Sequence, residues 1–159
     1  MPILNYTTSV EAAKSIDEIQ RILARHGARS ITTDYDDNGN VSGIMFTIQI
    51  EGLPLSVRLP VNVEGVFDQL WKAKGVPRKA KSRLQARRVA WRILKDWLEA
   101  QLALYEAGQA EMGQVLMPYA IDAQGVTAYQ MFKESHVKQL TSAPDNVVEG
   151  KFKAANGTE

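Results

Sequence analysis

Cysteine is absent from this chain of 159 residues. Its absence excludes disulfides, thiolate metal sites and a cysteine nucleophile. Histidine is almost absent too: His26 and His136 are the only two, and they are too far apart to form a helical metal pair or to suggest a Ser-His-Asp arrangement. No apolar run approaches the roughly 18 residues that mark a membrane span. The start, Met1 to Tyr6, has neither a basic region nor a long apolar stretch, so no secretion signal is expected. Glycine-rich phosphate loops and dinucleotide fingerprints are missing. Carboxylates are plentiful, but nothing singles out an acid/base pair. An enzymatic reading therefore lacks a nucleophile, a base and a metal cage; the sequence leans against catalysis and calls for no cofactor.

What is present describes a globular protein. Hydrophobic residues make up 45% and charged residues 23%, close to the averages for soluble domains. The length fits one domain, which should bury roughly 70% of the surface its unfolded chain exposes.

Acidic residues are missing from one place that matters. Between Lys72 and Lys95 there are ten basic residues and no Asp or Glu, while the rest of the chain carries 9 basic and 18 acidic residues. A block of this density attracts nucleic acid, an acidic protein or a phosphorylated small molecule. Alternatively it is a solvated loop and helix start, neutralised by acids elsewhere in the fold.

The local patterns predict an α+β fold. A first helix is expected over about Val10–Arg25, with capping-box spacing at Thr8 and Glu11, a terminal Gly27, and Ile16, Ile19, Ile22 and Leu23 on one face. Three strands follow, at about 29–35, 41–50 and from Leu53 to Leu59, as an antiparallel meander. Asp36-Asp37-Asn38-Gly39 and Glu51-Gly52 supply the turns, and Pro54 places the third strand at an edge or delays its start. The first turn also matches half of a calcium loop, but Met45 stands where the bidentate glutamate belongs. Asn62 is expected to cap a short helix over about 63–74, with Val66, Phe67, Leu70 and Trp71 pointing inward. Lys74–Lys81 reads as a basic loop. Ser82 and Gln85 open a long helix over about Arg83–Ala107, ended by Gly108. Residues 1–132 then form one α+β domain and 133–159 a polar, flexible, disordered tail.

On a wheel, the apolar arc of the long helix covers well over half the circumference, so it is expected to lie centrally, packed on two sides. It is also a possible route to a homo-oligomer. Arg88, Arg92, Lys95, Asp96 and Glu99 share the narrow polar arc. Arg83, Arg88, Arg92 and Lys95 therefore form a candidate exposed anion-binding row, joined by Lys79 and Lys81 from the loop. Arg87 falls inside the apolar arc, where it must pair, stack, line a pocket or snorkel to solvent. Trp71, Trp91 and Trp97 are expected in the core, with a stacking role for one of them as the lesser alternative.

The order helix, three strands, helix resembles the double-stranded-RNA-binding domain. Those domains place basic residues at the start of the second helix. Here that helix begins Asn62-Val63-Glu64-Gly65, and the basic segment comes one element later, so the likeness is one of topology.

A second resemblance rests on longer segments: Ile3-Leu4-Asn5-Tyr6-Thr7-Thr8, Leu59-Pro60-Val61-Asn62-Val63, the stretch Arg88-Val89-Ala90-Trp91-Arg92-Ile93-Leu94-Lys95-Asp96-Trp97-Leu98-Glu99-Ala100-Gln101, and Leu116-Met117-Pro118-Tyr119. These are similar to a family of small proteins of bacteriophages, prophages and integrative elements, over about residues 3–132. The resemblance implies a bacterial cytoplasmic setting and an accessory role for a mobile element. It transfers no catalytic or binding residue, because the family carries no assigned activity. The expected partner is nucleic acid, DNA or RNA, met through residues 72–95, with no membrane. The alternative is an inhibitor or sponge of a host defence system that binds a host protein or a nucleotide signal.

Overall fold

The computed structural model describes residues 1–136. Helix α1, Ala12–Arg25, buries Ser15, Ile16, Ile19, Ile22 and Leu23, the stripe its spacing predicts. Its C-terminus is closed by Gly27, whose φ is +92°. Gly27 N donates to Ala24 O at 3.3 Å and Ala28 N to Leu23 O at 3.0 Å, a pair of bonds that needs a left-handed residue between them. The expected capping box at the other end does not form. Glu11 occupies the cap position without a side-chain cap bond, because its carboxylate is drawn to Arg88 on a later helix.

Strands β1 (Ser30–Tyr35), β2 (Val41–Ile50) and β3 (Leu53–Arg58) form one antiparallel sheet in that order. Asp36 shapes the first turn: its Oδ1 accepts from the backbone amides of Asn38 at 2.9 Å and Asn40 at 2.8 Å. The calcium-loop pattern is therefore used as a hairpin turn. The second turn has Glu51 and Gly52 at φ +50° and +80°, the left-handed pair that matches strand twist. Pro54 lies within β3, which is an edge strand, where a missing donor is tolerated. Register places Ile31, Phe46 and Val57 side by side on the inner face, and Thr32, Met45 and Arg58 on the outer face.

Helix α2, Val63–Lys72, starts where Asn62 accepts from Gly65 N at 2.8 Å. Helix α3, Arg83–Glu106, starts where Ser82 Oγ accepts from Gln85 N at 3.1 Å. As its wide apolar arc predicts, α3 is central. Trp91, Leu94, Leu98 and Leu102 join α1 and the inner sheet face in one core. At its other end Ala86 joins Leu70 and Val76 in a smaller cluster, packed with Ile3, Tyr6 and Phe67. At its C-terminal end Leu104 and Tyr105 remain exposed.

Two short helices follow: α4, Met112–Leu116, which packs against α3, and α5, Ala128–Ser135, with a 3-10 turn at Met117–Tyr119 between them against β3. Each is opened by a capping box, Glu111 with Gln114 and Thr127 with Gln130. Between them Ala120 bridges to Val57, and Gly125 N donates to Asp122 O at 3.0 Å in a tight turn. Of the tail expected from residue 133, Lys133, Glu134 and Ser135 are helical instead, continuing the turn that Thr127 caps; residues 137–159 lie outside the described residues. No helix among the described residues is long and apolar enough to cross a membrane.

Candidate nucleic-acid interface

The basic segment runs from the end of α2, through a loop with one 3-10 turn at Arg78–Ala80, into α3. Its cations meet two different fates.

Those on the shaft of α3 are spent on intramolecular pairs. Arg88 Nη2 pairs with Glu11 of α1. Arg92 Nη1 lies 2.9 Å from Glu18 of α1, and its Nε 3.6 Å from Asp96. Lys95 Nζ lies 2.6 Å from Glu99 and 3.7 Å from Asp96, with the residue only 9% exposed. Arg88 and Arg92, expected in an exposed row, thus lie at the seam between α3 and α1, where Glu11 and Glu18 meet them. Lys95 is met instead by Asp96 and Glu99 of its own polar arc. Arg87, with its Nη2 4.0 Å from Asp36 Oδ2, reaches the β1–β2 turn and takes the pairing alternative of those open to it. The carboxyl of Asp36 is held below its ordinary value, first by the Asn40 amide and least by Arg87.

At the α3 start the pairing is looser. Arg83 grips Glu64 of α2 with two hydrogen bonds of 3.1 Å. Its guanidinium also sits 4.6 Å from the centre of the Phe67 ring. The shared hydrogen bonds lower the pKa of Glu64 and raise that of Arg83. Lys81 Nζ donates to the carbonyls of Trp71 at 2.9 Å and Ala73 at 3.1 Å, neutralising the negative end of α2.

Lys72, Lys74, Arg78 and Lys79 are exposed and make no ion pair among the described residues. Of the sequence candidates only Lys79 belongs to this group.

Trp71 departs most from expectation. It does not point into the core but is 52% exposed. Phe67 meets it edge to face at 6.1 Å, and Lys81 Nζ lies 5.8 Å from its ring centre. The physical reason lies in the small core at this end. Leu70 fills it, and one turn of a short helix cannot bury Trp71 as well. Trp91 is fully buried, and Trp97 packs against Tyr119 at 5.2 Å, so these two follow expectation.

The histidines bring no chemistry here. His26 bridges Ile22 O and Glu106 Oε1, at 2.7 Å each, at the end of α1. His136 stacks on Phe132. Among the described residues no cluster of three or more His, Cys, Asp or Glu could hold a metal. The chain matches no family model, and comparison with curated proteins and with solved structures finds no match.

Proposed function

We propose that this protein is a non-enzymatic accessory protein of a bacteriophage or mobile element, acting in the bacterial cytoplasm. It binds nucleic acid through the basic segment, with contact concentrated at residues 71–83 and a preference for single strands. The observation that carries this reading is the exposed Trp71 on the same segment as the unpaired Lys72, Lys74, Arg78 and Lys79. Single strands are held by that combination: a base stacks on the ring, and phosphates follow the cations. An inhibitor or sponge of host defence would use the same cations, and thermal stabilisation by cyclic or adenine nucleotides with none by oligonucleotides would favour it instead.

The test is fluorescence anisotropy with labelled single-stranded DNA, duplex DNA and RNA at two salt concentrations. Binding is expected to weaken steeply with salt, because phosphate contacts release counterions. Trp71→Ala is expected to weaken single-strand binding about tenfold, the loss of one stacked base. Absence of binding at low salt, or binding indifferent to salt, would overturn the proposal.

A further inference from the structure

A pocket of about 580 Å³ opens where the N-terminal segment meets the basic loop. The N-terminal segment contributes Thr7 and Ser9, the loop Lys79, and α3 Gln85 and Arg88. Gln85 fixes the first of these walls, donating through Nε2 to Tyr6 O at 3.0 Å and Thr8 O at 2.8 Å. The Thr8 hydroxyl is already engaged by Val10 N. Those of Thr7 and Ser9, like the Lys79 ammonium, have no hydrogen-bond partner among the described residues. All three side chains are exposed, so the pocket presents hydrated donors that a ligand can engage without breaking an intramolecular bond.

Arg88 is the most telling of them. Its Nη2 is engaged by Glu11, while its Nε is shut off from water and has no partner. A guanidinium is built to give two parallel bonds to one anion. Here Glu11 satisfies one donor and leaves the other orphaned, an arrangement that costs free energy. An anion that took both donors would satisfy the Nε that Glu11 leaves unpartnered in this arrangement.

We infer that this pocket takes a phosphate monoester, the phosphorylated end of a nucleic-acid strand, with Arg88 turning from Glu11 to the phosphate. The inference rests on the reading of this end of the molecule as a nucleic-acid surface. A monoester carries about −1.5 to −2 charges and three free oxygens, which suits Lys79, the Arg88 fork and two hydroxyls together. A backbone diester, with one charge and two free oxygens, leaves part of that set idle. Trp71 and the pocket adjoin the same loop: Lys81 holds Trp71 O at one end, and Lys79 and Pro77 line the pocket. Glu11 is then a built-in competitor of the ligand.

The experiment compares one short single-stranded oligonucleotide with a 5′-phosphate, a 3′-phosphate or hydroxyl ends, by anisotropy. One phosphorylated form is expected to bind about tenfold more tightly than the hydroxyl-ended strand, the worth of one additional charge-assisted hydrogen bond. Glu11→Gln is expected to widen that ratio without tightening the hydroxyl-ended strand, and Thr7→Val with Ser9→Ala to narrow it. Trp71→Ala weakens all three strands alike. Melting temperatures confirm that each variant is folded, and the Glu11 pair is exposed enough for its loss to be tolerated. Equal binding of the three strands, or a ratio unmoved by Glu11→Gln, would overturn the pocket and leave the nucleic-acid reading standing. If no strand binds, that reading fails, and the pocket is judged alone by amide NMR with adenosine monophosphate. Shifts at Thr7, Ser9 and Lys79 would then retain it as a phosphate site, and their absence would remove it.

Discussion

Arg92 Nη1 lies 2.9 Å from Glu18 Oε2, with the two side chains 23% and 30% exposed. This contact ties α3 to α1 near the C-terminal end of the basic segment, among its paired cations. Arg92→Glu places a carboxylate against Glu18 and Asp96, and is expected to cost roughly 1–3 kcal/mol, between the values for surface and buried pairs. The double exchange Arg92→Glu with Glu18→Arg should recover part of that loss. Urea unfolding checks both. Oligonucleotide affinity of the folded variants should stay near that of the parent, since Arg92 faces α1.

Two carboxylates make stability depend on acid. The Asn40 amide leads in holding Asp36 below its ordinary 3.8, and Arg83 holds Glu64 below 4.5. A lowered folded-state pKa means that the unfolded chain takes up protons first. The contribution is therefore present above the ordinary values, 4.5 for Glu64 and 3.8 for Asp36, begins to fall below them, and is gone once pH drops through the lowered folded-state values. Melting temperature is expected to be flat above that range and to fall below it. Asp36→Asn and Glu64→Gln should each flatten the acid limb, and a limb unchanged by both would contradict the assignment.

Most of the fold is legible in the sequence because its signals are local. The isoleucine stripe of α1, the alternation along β2, the glycine after α1 and the caps at Asn62 and Ser82 each depend on residues within a few positions of one another. The site is less legible because its decisive contacts are remote. Glu11 and Arg88 are 77 positions apart, and Glu18 and Arg92 are 74; a wheel drawn for α3 alone does not contain those acids. Glu11 also carries two meanings, local cap and remote ion-pair partner, and the remote one prevails. Gln85, read with Ser82 as the start of the long helix, also holds the N-terminal segment through its side chain. Residue type alone places Trp71 inside, but it says nothing about whether a small cluster has room for the indole. The helices α4 and α5 are too short for a 3.6-residue period to show, and only their capping residues announce them.

Glu51 holds φ +50° at the first central position of its turn, a conformation that costs a residue bearing a Cβ roughly 1–2 kcal/mol. Glu51→Asn creates Asn-Gly, the pair that most readily adopts this turn. It is expected to stabilise the protein by about 0.5–1 kcal/mol, read as a raised urea midpoint with an unchanged slope. A lowered midpoint would mean that the Glu51 side chain contributes more than its backbone costs.

The division between paired and available cations gives a last, quantitative prediction. For single strands each phosphate contact contributes about 0.7 to the slope of log affinity against log salt. Neutralising Lys72 and Lys74 together, as Gln, should therefore reduce that slope by about 1.4 if both meet phosphates. Neutralising Arg92 and Lys95 should leave it unchanged at temperatures where the variant is folded, because their charges are already met by Glu18, Asp96 and Glu99. The two pairs remove the same formal charge, so a slope governed by net charge alone would fall equally in both. A fall confined to the first pair would place the contact at the 71–83 end. Equal falls would mean that the slope follows net charge and that the contact is not confined to the 71–83 end.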